Sequence, residues 1–197
     1  MTFKLGLTGS IGMGKSTTAQ MFVEEGCALW DADAAVHRLY SKGGAAVAPM
    51  GAVFPTAIRD GAVSRDALRS IISDDPTALA RIEAIVHPLV AQDRAEFIGA
   101  SSADILVFDI PLLFETGGDA AMDAVAVVHV PDDVQEARVM ARGTMSHAQF
   151  LAIRAKQLPS AEKCARADFV IETDTVEHAR AQVHHIIEQI KNRAGHA

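Results

Sequence analysis

Near the start of the chain stands Gly9-Ser10-Ile11-Gly12-Met13-Gly14-Lys15-Ser16, followed by Thr17, a run with the spacing G-x-x-x-x-G-K-S of a phosphate-binding loop. Each residue type in it has a task. Glycines reach positive φ and carry no Cβ, so backbone N–H groups can converge on phosphate oxygens. Lys15 supplies a cation for β- and γ-phosphates, and Ser16 a hydroxyl for Mg²⁺. A helix opening at Lys15 aims its positive end at the same anions. Gly9, Ser10, Ile11, Gly12, Met13, Gly14, Lys15, Ser16 and Thr17 are therefore the expected nucleotide-binding set.

Asp31-Ala32-Asp33 is the next group able to do chemistry. In an extended chain, residues two apart share a face, so both carboxylates are expected to point toward one cleft. One can accept the proton of an attacking hydroxyl, as a kinase aspartate does; the other can cap the helix expected over 34–40. Asp109 follows the apolar run 105–108, a position suited to orienting Mg²⁺ or its waters. After it comes Ile110-Pro111-Leu112-Leu113-Phe114-Glu115, oddly apolar for a loop beside a charged site. Leu112, Leu113 and Phe114 form either an apolar wall for an extended substrate or core packing against the neighbouring insertion. His87-Pro88 has two readings: His87 contacts a substrate phosphate, or it closes the helix before it. Arg138, Arg142, Arg154, Lys156 and Lys163 gather between residues 136 and 166, where a mobile cationic segment would stabilise transferring charge and exclude water. Arg142 is the candidate catalytic cation among them. His184 and His185 are helix neighbours that cannot share a face, and no His/Cys grouping suggests zinc.

These residues need elements to hold them. Strand signals fall at 3–8, 27–31, 105–110, 125–130 and 169–172, several of them continuous apolar runs as in parallel strands buried on both faces. Helices are expected between them: one over 15–25 stopped by Gly26, and one with the stripe Val176, Ala179, Val183, Ile186, Ile187, Ile190. Alternating strands and helices imply an α/β sheet with right-handed crossovers. About seventy residues separate the second and third strands. Ser64 can cap a helix carrying Ala67, Leu68, Ile71 and Ile72. Asp75-Pro76 can start another carrying Leu79, Ile82 and Ile85, with Pro88 breaking it and opening a third through Phe97. The expected organisation is a nucleotide-binding core of 1–35, 104–135 and 167–197, a helical insertion over 36–103 and a lid over 136–166.

The 197 residues, 49% of them apolar, suffice for one sizeable core. A net charge of −7 leaves no basic footprint for nucleic acid, so an anionic substrate must meet local cations. Cys27 and Cys164 lie far apart and form no C-x-x-C, which suits reduced thiols of a cytoplasmic protein. No apolar run reaches the roughly 18 residues a membrane span needs. The N-terminus leads straight into a strand, so no signal peptide is expected.

The loop, Asp31-Ala32-Asp33, Ile85-Val86-His87-Pro88 and Asp109-Ile110-Pro111-Leu112-Leu113-Phe114-Glu115, in this order, resemble the dephospho-coenzyme A kinase family. Gln157-Leu158-Pro159, Glu162-Lys163 and Ala167-Asp168-Phe169-Val170-Ile171 look like that family's segment after the lid. The resemblance implies a P-loop NTPase fold: a five-stranded parallel sheet flanked by helices, with a helical acceptor-binding insertion and a lid. It implies transfer from ATP, with Mg²⁺, to the ribose 3′-hydroxyl of dephospho-coenzyme A. Lys15 and the loop amides would hold the ATP phosphates, Ser16 the Mg²⁺, and Asp33 would take the hydroxyl proton, which leaves Asp31 as the cap or a supporting residue. Arg142 would sit over the transferring group, and the insertion with Leu112, Leu113 and Phe114 would hold the acceptor. A monomer or small homo-oligomer is expected. The chain departs from the family in one place. Glu172-Thr173-Asp174-Thr175 stands where an Asn-x-Gly-type turn is usual near adenine, which leaves backbone groups to read the base. The rival within the same fold is a kinase of nucleoside monophosphates or a small metabolite such as shikimate, which does not call for the apolar 112–114 segment. A GTP-dependent switch would carry N-K-x-D, and the chain has none.

Overall fold

The computed structural model describes residues 2–194. In chain order the elements are β1 (Phe3–Thr8), α1 (Lys15–Glu24), β2 (Ala28–Asp31), α2 (Ala32–Tyr40), α3 (Val47–Val53), β3 (Ile58–Arg59), β4 (Ala62–Val63), α4 (Arg65–Asp74) and α5 (Ala78–Ala100). There follow β5 (Ile105–Asp109), β6 (Ala124–His129), α6 (Asp132–Arg142), α7 (His147–Arg154), α8 (Ser160–Arg166), β7 (Phe169–Glu172) and α9 (Val176–Ala194). The chain divides into two compact units, one of the described residues up to Trp30 and from Ser102 onward, the other Asp31–Ser101.

The first unit is built on a five-stranded parallel sheet of order β2-β5-β1-β6-β7. Every residue of β5 and the first five of β6 are buried, which explains why these strands read as unbroken apolar runs. Leu5, Leu7, Ala126 and Val128 pack with Phe22 of α1 and with Ala179, Val183, Ile187 and Ile190 of α9. Val176 is an exception to the expected stripe, since it is 53% exposed in the first turn of α9. Helix α1 stops where Gly26 takes φ 89°, with Gly26 N–H bonded to Val23 O and Cys27 N–H to Phe22 O at 3.0 Å each. This left-handed close lets the chain reverse into β2.

The second unit has its own core, in which Leu39, Met50, Phe54, Leu68, Ile82 and Val86 are buried together. Ser64 caps α4 as expected, its Oγ accepting from Ala67 N–H at 3.2 Å. Three readings of this stretch need correction. First, Asp31 and Asp33 do not share an extended face. The Asp31 carboxylate accepts from Ala34 N–H at 2.8 Å, which turns the chain into α2 at Ala32 and puts Asp33 in its first turn.

Second, Pro88 neither breaks a helix nor starts one, because α5 runs through it without interruption. Ile82 and Val86 before the proline and Leu89 and Val90 after it pack on the same core. Beyond it, Arg38 of α2 grips Asp93 through Nη2 at 2.6 Å and Nε at 3.2 Å. Packing on both sides outweighs the lost N–H. His87 therefore does not close a helix; it lies exposed within α5. Third, α3 and the β3–β4 hairpin fall in a stretch whose elements were not foreseen. The hairpin turn is Asp60-Gly61, with φ 52° and 80°, the paired positive φ that a two-residue turn requires.

Since Pro88 is exposed and removes one helix hydrogen bond, Pro88→Ala is expected to raise the unfolding free energy by about 1–2 kcal/mol. The helix gain is then partly offset by a more flexible unfolded chain. Urea denaturation measures it, and a loss of stability would contradict this account of α5.

Candidate active site

Strand β1 delivers the glycine loop to α1, and the local packing explains each glycine that matters. A Cβ on Gly9 would lie 2.2 Å from Val128 Cγ2, so only glycine lets the loop pass β6 this closely. Gly12 and Gly14 hold φ 79° and 87°. Gly14 is the N-cap of α1 and offers no side chain to its first turn, so the leading amides there remain available to an anion. Ser16 and Thr17 are exposed on that turn, while Met13 is 1% exposed and contributes its backbone rather than its side chain.

The loop is also held from outside. Ile11 O accepts from Gln135 Nε2 at 2.7 Å, and Ile11 N–H donates to Gln157 Oε1 at 3.2 Å. Met13 O accepts from Thr173 Oγ1 at 2.7 Å. Thr173 is fixed in turn by Arg138, whose guanidinium donates to its Oγ1 at 3.2 Å and its carbonyl at 2.6 Å. Arg138, Arg142, Thr17, Thr173 and Asp174 line one cavity of about 200 Å³ beside Gly14. Arg142 is exposed at the last turn of α6, where Gly143 closes the helix at φ 62°. Asp174 binds His178 Nδ1 at 2.7 Å and Thr175 N–H at 2.9 Å, and these two bonds hold its carboxyl below the ordinary range.

Asp109 ends β5, 2% exposed, and its carboxylate is ion-paired with Lys15 Nζ. The following segment is a fastening. Burial opposes the charge on Glu115, but hydrogen bonds from Lys163 Nζ at 2.9 Å and Leu158 N–H at 2.8 Å outweigh it and hold the carboxyl below its usual range. Lys163 is fully buried, and Nζ also donates to Pro111 O at 3.3 Å. Thr8 Oγ1 donates to the same carbonyl at 3.0 Å.

Of the two readings of 112–114, core packing holds for Leu113 and Phe114, and the partner is β6. Leu113 is fully buried and Phe114 5% exposed, packed with Val125 and Val127, and Arg166 covers the Phe114 ring at 4.4 Å. Only Leu112 of the three is open, at 43%. Leu113 and Phe114 are core side chains because the chain coils back on β6 straight after Pro111.

Lys15, Ser16, Thr17, Asp109 and Arg142 thus belong to the first unit with the loop, while Asp33 and His87 are exposed on α2 and α5 of the second. Asp31 makes the cap, so the Asp33 carboxylate is not spent on it. Reading the sequence passed over Gln135, and noticed Arg138, Thr173 and Gln157 only as members of longer groups. One signal was present: Arg138 and Arg142 are four apart on a helix and share a face. Among the described residues no His, Cys, Asp and Glu group could by itself hold a metal.

A parallel sheet whose first strand feeds a glycine loop, lysine and serine into a helix, with arginines on a helix bordering the same pocket, defines a P-loop kinase. The dephospho-CoA kinase family profile matches residues 3–178. A dephospho-CoA kinase of Ruegeria pomeroyi is 74% identical over the full length of both chains. Among solved structures, the Thermus thermophilus protein TT1252 superposes with a TM-score of 0.85 at 31% identity, covering 95% of this chain and 97% of its own. Dephospho-CoA kinase from Campylobacter jejuni shares the fold, with a TM-score of 0.71 at 23% identity over 98% of this chain and 100% of its own. The chain belongs to the dephospho-CoA kinase family.

The Lys163–Glu115 pair makes a structural prediction. Glu115→Ala leaves a buried ammonium without its counter-charge and is expected to cost about 3–5 kcal/mol of unfolding free energy. Urea titration measures it. In the native protein this contribution is complete above the usual glutamate pKa of about 4.3 and fades as pH falls through the lower folded value.

Proposed function

We propose that this protein transfers the γ-phosphoryl group of ATP to the ribose 3′-hydroxyl of dephospho-coenzyme A, giving coenzyme A in the last step of its synthesis. The family match across residues 3–178, over a complete glycine loop and α1, carries this reading. In the proposed reaction the 3′-oxygen attacks the γ-phosphorus, the bond to the β,γ-bridging oxygen breaks and ADP departs. The exposed carboxylate of Asp33 takes the hydroxyl proton. The loop amides and Lys15 bind the β- and γ-phosphates, with Lys15 exchanging its partner Asp109 for them. Arg142, at the edge of the cavity beside Gly14, meets the charge that develops on transfer.

Ser16 and Asp109 suit Mg²⁺: one hydroxyl and one carboxylate are the sparse oxygen set of an ion that keeps its waters and takes its remaining ligands from phosphates. When bound, the ion neutralises charge on the phosphate oxygens. We assign the base of ATP to the cavity lined by Arg138, Thr173 and Asp174, with backbone groups of 173–175 reading it. We assign the acceptor to the helical unit, with His87 and Leu112 as its candidate contacts. The moving part of the lid is narrowed to residues 144–156, because Gln135, Arg138, Gln157 and Lys163 on either side are tied to the core.

We place the protein in the cytoplasm, as a monomer or small homo-oligomer that binds neither nucleic acid nor membrane. In support, no helix among the described residues is long and apolar enough to cross a membrane. Cys27 and Cys164 are free thiols, and burial pushes Cys27 up to about 11, which leaves it inert.

The deciding assay offers Mg²⁺ATP with dephospho-coenzyme A, nucleoside monophosphates or shikimate, reading ADP release and product mass. Turnover confined to dephospho-coenzyme A, yielding coenzyme A, is expected; turnover with another acceptor instead would overturn the assignment. Asp33→Asn is expected to lower kcat by about 10²–10⁴ with ADP affinity retained. Near-normal turnover in that folded variant removes Asp33 from the mechanism. Arg142→Ala is expected to act mainly on kcat, since its charge serves the transition state. A rise in KM alone would show that it serves substrate binding instead.

A further inference from the structure

Both backbone polar groups of Ile11 are held by glutamine side chains that come from different parts of the chain. Gln135 projects from α6 and is 1% exposed; its Nε2 donates to Ile11 O at 2.7 Å. Gln157 lies in the connector between α7 and α8, and its Oε1 accepts from Ile11 N–H at 3.2 Å. The connector is itself fixed at the next residue, where Leu158 N–H donates to Glu115 at 2.8 Å. Ile11 stands one residue before Gly12, where the backbone turns to φ 79° on its way into α1.

We propose that Gln135 and Gln157 are positioning residues for nucleotide binding, which clamp the two peptide planes at Ile11 so that the amides after it already converge on the phosphates before nucleotide arrives. Neither glutamine needs to touch the nucleotide. The physical case rests on what the loop lacks. Its glycines give it freedom, and its own anchors, the buried Met13 side chain and the bond from Met13 N–H to Ser10 O at 3.3 Å, flank Ile11 and leave its N–H and carbonyl to the glutamines. An anion site made of backbone N–H groups is only as good as its preorganisation, since ordering a slack loop costs binding energy. The two bonds also have opposite polarity, one glutamine donating and the other accepting, so together they set the orientation of both planes at Ile11 and not merely their position.

Both glutamines border a cavity of about 690 Å³ beside Ser10. Water entering from it can satisfy a bared Ile11 N–H or carbonyl, but it does not fix the plane. Loss of a glutamine therefore shows in nucleotide affinity more than in fold stability. This separates the proposal from a purely structural role. The inference rests on the loop's being a nucleotide loop and is independent of which acceptor is used.

The test is ADP affinity by calorimetry for the full chain and for Gln157→Met, Gln135→Met and the double variant, with thermal midpoints of the free proteins and steady-state kinetics beside them. Gln157→Met, in which the half-buried side chain keeps its length, is expected to raise Kd for ADP and KM for ATP about five- to ten-fold, with a smaller change in kcat. Its midpoint should move by less than about 3 °C. Gln135→Met should act in the same direction, and the double variant should lose less than the product of the two, because both hold one residue. ADP affinities within about two-fold of the parent in both single variants would overturn the clamp, as would a large fall in midpoint with Kd unchanged. Parent protein that binds ADP but does not phosphorylate dephospho-coenzyme A would remove the acceptor assignment alone, and the variants' ADP affinities would still decide the clamp.

Discussion

The site depends on a close approach of the loop backbone to Val128 of β6. At Gly9 the chain leaves β1 so near β6 that a single methyl group would collide with Val128. That approach lets the loop fold back over the C-terminal end of the central strand and present α1 end-on. It is possible because β1 is paired on both sides, with Leu7 opposite Asp109 of β5 and Thr8 opposite Val127 of β6. The same pairing puts the Asp109 carboxylate within reach of Lys15. Sheet order and glycine are thus one arrangement, and the Lys15–Asp109 pair follows from it.

A chain of net charge −7 has to collect cations where it needs them. Here the positive groups near the loop are engaged by the protein's own acceptors: Lys15 by Asp109, Arg138 by the carbonyl of Thr173, Lys163 by Glu115 and Pro111. The three do different work. The Lys15 pair borders the phosphate site and can be exchanged. Arg138 acts through carbonyl dipoles, so it steadies Thr173 without being neutralised. Lys163 is wholly buried and has become part of the framework.

Much of this was legible in the sequence because it depends on local rules. The phosphate loop, the five strands of the main sheet and the Ser64 cap each follow from a few adjacent residues. What escaped depends on distant partners. Pro88 reads as a helix break until Val86 and Leu89 are seen packing on one core, with Arg38 holding the helix beyond it. The run 112–114 reads equally as a substrate wall or as packing on the insertion, because nothing local reveals that Leu113 and Phe114 face Val125 and Val127. The Asp31 cap was foreseen, but not that its bond to Ala34 turns the chain at Ala32 and takes Asp33 off the extended face. Gln135 and Gln157 were hardest to see, since a glutamine's task is set by the backbone it meets, and these meet residue 11 from 124 and 146 positions away. The Asp60-Gly61 turn also went unread, although as Asp-Gly it carried a local hairpin signal.

The ties on either side of α7 have a mechanical consequence. An arm fixed at one end sweeps through a wide volume and must search for its closed position. Residues 144–156 are held at both ends, by α6 through Gln135 and Arg138 and by the connector through Gln157 and Leu158. If residues 144–156 move as proposed, such a segment would be a handle: it would turn between its two attachments, carrying the wholly buried Phe150 with it, and would neither extend nor drift away. Both attachments reach the phosphate loop, because Gln135 on one side and Gln157 on the other hold the peptides of Ile11.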